Sequence, residues 1–232
     1  MRIEVAGKSH VGMKRNINED SFLVMSEQRL YCVADGMGGH LHGEIASKIA
    51  IDELAEFFRL TSADRDVTWP FKMDKNRNYD ENRLATGIKL ANARIYEAAS
   101  GDPNYRGMGT TIATVHFADT SVYVGHVGDS RVYRFRAGGL ELVTEDHSLL
   151  NDYLKAKKLS REEIEAFPHK NVIVRALGMK DTVQVDIGRF EPQDGDVFLL
   201  CSDGLSGMVS DEEMAQVLRE TSEVEEACTK LI

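Results

Sequence analysis

Short apolar runs bounded by turn residues alternate along this chain with longer stretches of three-to-four spacing. Residues 2 to 6 and 21 to 25 read as strands on either side of a polar turn, and Leu30 to Ala34 as a third, closed by Asp35-Gly36. Over residues 43 to 60, Ile45, Ile49, Leu54, Phe57 and Phe58 fall near helical spacing. Residues 61 to 80 are polar around Trp69-Pro70-Phe71, which predicts a connection carrying one local anchor. The clearest helix covers 82 to 99, where Leu84, Ile88, Ala91, Ile95 and Ala98 share one face. Strand patterns return at 111 to 117, 121 to 127, 131 to 136 and 140 to 143, joined by short turns as in an antiparallel meander. Residues 147 to 166 are highly charged and read as helical, with Ser160-Arg161-Glu162-Glu163 as a capping box that opens a second short helix. Strands are predicted again at 183 to 190 and 196 to 201. Helices at 210 to 220 and 222 to 231 follow, with Ser210 and Ser222 as N-caps. Two helices between two runs of antiparallel strands predict a layered α+β domain.

Composition narrows this picture. No Pro-, Ser- or Gly-rich linker interrupts the 232 residues, so residues 1 to 232 read as one domain long enough to bury a sizeable core. A formal net charge of −10 argues against a nucleic-acid partner, because a phosphate backbone would be repelled. Cys32, Cys201 and Cys228 share no metal-ligand spacing. Cys32 and Cys201 lie inside apolar runs, where a thiol behaves as a small hydrophobe. Met1 to His10 holds no signal-peptide core, and no stretch approaches the roughly 18 apolar residues of a membrane span. The expectation is a cytoplasmic protein with no membrane partner.

The chemistry is carried by acidic residues in four turn-like contexts: Glu19 and Asp20 in Arg-Asn-Ile-Asn-Glu-Asp, Asp35 in Asp-Gly-Met-Gly-Gly-His, Asp129 in Gly-Asp-Ser-Arg, and Asp203 in Ser-Asp-Gly-Leu. Asp35, Asp129 and Asp203 each follow an apolar run that reads as a buried strand. A carboxylate in that place is costly to desolvate unless a positive charge meets it. Several brought together repel one another, and bound cations resolve the repulsion. An all-oxygen donor set suits Mg²⁺ or Mn²⁺. These residues predict a metal-dependent hydrolase, with Asp35 as a bridging ligand and Gly36 offering its carbonyl where a side chain would obstruct. Arg15 lies in the first turn, and a guanidinium suits bidentate phosphate binding.

Seven motifs in order carry a family resemblance: Arg15 to Asp20, Asp35-Gly36, Gly109-Thr110-Thr111, Gly128-Asp129-Ser130-Arg131, Asp146-His147-Ser148, Arg175-Ala176-Leu177-Gly178, and Ser202-Asp203-Gly204. From Gly7 to about Glu213 the chain resembles a metal-dependent Ser/Thr protein phosphatase of the type 2C (PPM) family in its short bacterial form. The resemblance implies a four-layer α-β-β-α sandwich, two antiparallel sheets flanked by helix pairs, with metals at one end between the sheets. It implies that Glu19, Asp35 and the Gly36 carbonyl hold one metal, that Asp35 and Asp203 hold another, and that Asp20 contacts metal-bound waters. Arg15 matches the phosphate-binding position, and Asp129 a weaker third metal. Residues 147 to 178 match a flap beside the active site, in which His147 and His169 are expected to be structural.

The sequence departs from the family pattern in three places. Gly207 stands where relatives often carry an acidic residue, which weakens the expected third site. Met37 follows Asp-Gly where many eukaryotic members have a His suited to general-acid work, leaving His40 or a metal-bound water for that role. The family also ends in an Asp-Asn motif and a final strand. No Asp occurs after Asp211, and the last residues read as helix. A domain without its last strand and with one carboxylate fewer is therefore expected.

These observations predict hydrolysis of phosphoserine and phosphothreonine on proteins, opposing a bacterial Ser/Thr kinase, with two Mn²⁺ or Mg²⁺ ions and a weak third. The expected partners are phosphorylated proteins and a kinase, and the expected state is a monomer. An inactive phosphatase-fold binding module is the alternative, and a non-protein phosphate substrate is a third reading.

Overall fold

Residues 1–38, 42–64, 67–156, 164 and 172–232 are described in the structure, a computed structural model. Six strands form one antiparallel sheet: β1 (Asp20–Met25), β2 (Leu30–Met37), β4 (Ile112–Phe117), β5 (Val122–Val127) and β8 (Asp186–Phe190) in that order, with β3 (Gly109–Thr110) paired to the end of β2. A smaller sheet holds β7 (Gly139–Leu142), β6 (Arg131–Arg136) and β9 (Val197–Cys201). Two long helices, α1 (Gly43–Ala63) and α2 (Tyr79–Gly101), follow β2. The shorter α3 (Leu149–Ala156) follows β7. Two further helices, Asp211–Glu220 and Val224–Leu231, follow β9.

Strand alternation builds the layers. On β2, Leu30, Cys32 and Ala34 pack with Ala46, Leu54, Phe58, Leu84 and Ile88 of the two long helices. The neighbouring Val33 points the other way, into a cluster of Ala113, Val115, Val122 and Val124 from the large sheet with Val132, Phe198 and Leu200 from the small one. The rings of Phe117 and Phe198 meet edge to face across this layer, 5.6 Å apart. On the outer face of the small sheet, Tyr133, Leu199 and Cys201 pack against Met214 and Leu231 of the last two helices. The order is helices, sheet, sheet, helices, the four-layer α-β-β-α arrangement expected. Cys32 and Cys201 are buried in it as free thiols.

Helix ends follow local chemistry. Asn78 and Glu81 form a reciprocal capping box that starts α2 at Tyr79, three residues before the expected start at residue 82. At the other end of α1, the buried Arg83 of α2 donates to the Phe58 carbonyl (2.6 Å), supplying a cation that the last turn of α1 lacks. Trp69 is the anchor expected in the connection: its ring lies 5.7 Å from that of Phe57 and 5.3 Å from that of Tyr79.

Two expectations need correction. Residues 2 to 6 form no strand. Their alternation is real, but a strand needs a partner for its N–H and C=O groups, and no described strand pairs with them. Ser210 caps its helix within a Ser210–Glu213 box, whereas Ser222 does not cap the next one. There the N-cap is Glu223, with no side-chain cap bond, and the helix starts at Val224. The predicted box at Ser160 lies outside the described residues.

Candidate metal centre

Asp20 opens β1 and faces Asp35 of β2 as a direct cross-strand partner. Such partners project from the same face of the sheet. One residue to each side, the Gly36 N–H donates to the Glu19 carbonyl (3.1 Å), so the β1–β2 ladder brings Glu19, Asp20, Asp35 and Gly36 to one place. Asp129 follows β5 of the large sheet. Asp203 follows β9 of the small sheet and starts a short helical turn, Asp203–Ser206. Both sheets therefore deliver a carboxylate to the same end of the sandwich.

The backbone there is tightly held. The Asp35 N–H donates to Thr111 Oγ1 (3.0 Å), and the Asp35 carbonyl accepts from the Thr111 N–H (2.9 Å) and the Thr110 hydroxyl (2.9 Å). The Thr111 and Ser130 hydroxyls meet at 2.6 Å, joining β2 to the turn that carries Asp129. Ser47 of α1 donates to the Glu19 carbonyl (2.6 Å). Gly36 approaches the start of α1 so closely that a Cβ would lie 2.0 Å from the Gly43 carbonyl oxygen. Only glycine fits between these two backbones.

Side chains complete the arrangement. Ser202, just before Asp203, donates its hydroxyl to Asp20 Oδ2 (2.9 Å). Arg15 donates to Glu19 Oε2 at 2.7 Å, with 63% of the Arg15 side chain exposed against 16% for Glu19. The Arg15 guanidinium thus stands at the mouth of the cluster. Gly207 ends the Asp203–Ser206 turn, its N–H bonded to the Asp203 carbonyl (2.8 Å), and offers no carboxylate. His40 lies outside the described residues, so the structure does not describe its side chain. Met37 pairs with Gly109 at the end of β2.

Burial and mutual repulsion outweigh the nearby cations at this cluster. Burial pushes the Asp35 carboxyl up to about 8, and the neighbouring Asp20, Asp203 and Asp129 push in the same direction. Asp129 is raised to about 6, by burial first and then by Asp203 and Asp146. Burial also raises Asp20, against the lowering effect of the Ser202 hydrogen bond. Among the described residues, no Lys or Arg forms an ion pair with Asp20, Asp35, Asp129 or Asp203. Arg15 offsets part of the charge at Asp20 and Arg131 part of it at Asp129. Buried carboxylates that still repel one another fit hard divalent cations, and the oxygen-only donor set fits Mg²⁺ or Mn²⁺. The tightest potential ligand group among the described residues lies elsewhere. Atoms of His126, His147 and Asp186 all fall within 4.8 Å of one another. Asp35 interacts with both Asp20 and Asp203 in the acidic constellation.

Sequence reasoning missed Ser202 as a partner of Asp20 and the His126–His147–Asp186 group. His126 lies in β5 and His147 in the Asp146-His147-Ser148 motif, but only the β5–β8 register, which pairs His126 with Asp186, assembles the group. Of the segment from 147 to 178, the described parts include α3 and a bridge between Ser148 and Ile173. His169 lies outside the described residues.

Comparison with known proteins finds related sequences and folds. The protein phosphatase 2C family profile matches residues 6–231. Protein phosphatase PhpP of Streptococcus pneumoniae is 35% identical over 219 residues, covering 93% of this chain and 84% of the relative. Serine/threonine phosphatase stp of Listeria monocytogenes is 35% identical over 215 residues, covering 90% and 80%. Among solved structures, the Mycobacterium tuberculosis serine/threonine phosphatase PstP/Ppp superposes with a TM-score of 0.82 at 34% identity, covering 97% of this chain and 88% of that one. A structure of the PstP catalytic domain in complex with two manganese ions superposes with a TM-score of 0.78 at 33% identity, covering 97% and 87%.

Proposed function

Because this chain belongs to the protein phosphatase 2C family and is a protein serine/threonine phosphatase, we propose that it is a metal-activated enzyme that removes phosphate added by a Ser/Thr kinase. The observation that carries the metal requirement is the meeting of Asp20, Asp35, Asp129 and Asp203 with only partial compensation from Arg15 and Arg131, and with Asp35 pushed up to about 8. The family resemblance implies a role for each residue. Glu19, Asp35 and the Gly36 carbonyl would hold one cation, and Asp35 with Asp203 the other. Asp129 would hold a third weakly, since Gly207 adds no carboxylate. When bound, two Mn²⁺ or Mg²⁺ ions supply Lewis acidity at the phosphoryl oxygens and a water acidified enough to attack phosphorus near neutral pH.

The chain's own residues then bind and orient. Arg15, exposed at the mouth and fixed by Glu19, receives the phosphate dianion through its fork of N–H donors. Asp20, held by Ser202, accepts a hydrogen bond from water and so orients it. The backbone clamp of Thr110 and Thr111 keeps Asp35 in place when neighbouring charges change. We read the working compartment as the cytoplasm, in keeping with the buried free thiols Cys32 and Cys201.

Phosphate release from a phosphothreonine peptide tests this reading. Turnover is expected in Mn²⁺, lost in excess EDTA, and regained when Mn²⁺ is restored. Asp35→Asn is expected to fall by roughly 100-fold or more, beyond the 10–100-fold typical of groups that only support a ligand. Turnover that persists in excess chelator, or a wild-type protein inert in saturating Mn²⁺, overturns the metal reading.

A further inference from the structure

The buried imidazole of His147 is used at every polar atom. Its Nδ1 accepts the Gly128 N–H (3.0 Å), while its own backbone N–H donates to the Gly128 carbonyl (2.9 Å). Both peptide groups of Gly128 are thus gripped by one residue. Gly128 needs that grip. Its φ of +109° lies in a region open to glycine, and a Cβ there would stand 2.6 Å from Thr111 Cγ2. The next residue is Asp129, whose carboxylate direction is set by this turn.

Proton accounting fixes the state of the ring. Since Nδ1 accepts from a backbone N–H, the ring proton of the neutral imidazole sits on Nε2. Nε2 lies 3.0 Å from Asp186 Oδ2 and donates to it. Arg175 Nη1 donates to Asp186 Oδ1, also at 3.0 Å. Arg175 Nη1 also lies 3.0 Å from Nε2, but two donors cannot bond to each other, so that contact is a consequence of the shared carboxylate. The His126 ring stacks on His147 at 4.7 Å, and its Nε2 donates to the Glu145 carbonyl (2.8 Å). The same accounting argues against His126, His147 and Asp186 as a metal site. A metal on His147 Nε2 would leave a ring with two accepting nitrogens, and the Arg175 cation already stands there.

We propose that His147 is a positioning residue for Asp129: its Nδ1 clamps Gly128, and Asp186 with Arg175 locks the ring so that the Asp129 carboxylate is held toward a cation. This rests on the reading of Asp129 as a metal ligand. Two isosteric halves of the imidazole separate the roles. His147→Asn places an amide oxygen near Nδ1 and keeps an acceptor for Gly128, but cannot reach Asp186. His147→Gln places an amide N–H near Nε2 and keeps the donor to Asp186, but leaves the Gly128 N–H without its acceptor.

Mn²⁺ binding followed by electron paramagnetic resonance, with no substrate present, is the readout, and Asp129→Asn identifies the binding event that belongs to Asp129. His147→Gln is expected to weaken that event about 10-fold, within the range typical of supporting groups, and to leave tighter Mn²⁺ binding within about threefold. His147→Asn, which keeps the acceptor for Gly128 but loses the Asp186 lock, is expected to weaken the same event several-fold, short of the loss in His147→Gln. If His147→Gln does not fold, Asp186→Asn replaces it, with a loss of several-fold expected. Equal losses in His147→Gln and His147→Asn would show a purely structural role and overturn the proposal. Wild-type binding in His147→Gln, or in Asp186→Asn where it stands in, would overturn it too. No change in any Mn²⁺ event on Asp129→Asn would remove its premise and overturn it as well, while leaving the assignment of Asp35 and Asp203 intact.

Discussion

Ser202 donates a 2.9 Å hydrogen bond to Asp20 across 182 residues of sequence, tying the end of β9 to the start of β1. The two strands lie in different sheets, so this bond fixes the spacing of the sandwich at its acidic end. It also lowers the pKa of Asp20 against the effect of burial. Ser202→Ala should raise the Asp20 carboxyl further and shift the acid limb of the kcat profile to higher pH. Net stability should drop by about 0.5–1.5 kcal/mol, as for a single hydrogen bond. An acid limb at the wild-type pH in the mutant would contradict this.

Asp35 makes metal binding and metal-free stability depend on pH in opposite senses. Its carboxyl is raised from 3.8 to about 8, chiefly by burial. Between those values the folded, metal-free protein holds a proton that the unfolded chain has released. Stability from this group is therefore full below about pH 4, falls as pH rises toward 8, and is level above. Metal-free Asp35→Asn lacks this loss, so its melting temperature relative to wild type should increase from pH 5 to pH 8. Mn²⁺ must displace the same proton, so wild-type affinity should rise over that interval with proton release measurable by calorimetry in two buffers. A constant difference in melting temperature across the interval would refute the linkage.

Arg15→Ala should act mainly on KM. A charge-assisted contact to phosphate of about 1.5–3 kcal/mol corresponds to a rise of roughly 10- to 150-fold. Inhibition by free phosphate should weaken in parallel. An unchanged KM with unchanged phosphate inhibition would show that the guanidinium serves only Glu19, 2.7 Å away.

Gly36→Ala should be damaging without touching any charge. The new methyl would meet the Gly43 carbonyl at 2.0 Å and the Glu19 carbonyl at 2.7 Å, and both obstacles are backbone. Overpacking of this kind costs about 1–3 kcal/mol, or roughly 2–12 °C in Tm for a domain of this size. Thermal melting in EDTA measures it without the metals. A Tm within a degree of wild type would mean that α1 can retreat from β2.

Much of this architecture is legible from periodicity because its layers are built from it. The apolar run Leu30 to Ala34 sends Leu30, Cys32 and Ala34 to the helices and Val33 to the opposite sheet, and both burials demand hydrophobic residues. The same alternation misleads at residues 2 to 6, since pattern specifies which side is apolar and not whether a partner exists. At the site, Asp35, Asp129 and Asp203 stand out because acids at the ends of buried strands conflict with their surroundings. Ser202 and His147 sit in recognised motifs, but their roles do not stand out. A serine before a helical turn and a histidine after an aspartate are unremarkable until the sheets bring Asp20 and Gly128 to them.

The placement of Trp69 has a spectroscopic consequence. It is the chain's single tryptophan, and it rests on Phe57 and Tyr79. Fourteen residues of α1 separate Phe57 from Gly43, about 21 Å of helix from the contact with Gly36. Indole emission is therefore a gauge of whether the long helices remain docked, and it is nearly blind to what occupies the acidic end. A metal titration that leaves fluorescence unchanged while shifting the denaturation midpoint would be the normal optical behaviour of this protein, and ligand binding is better followed through the cation itself.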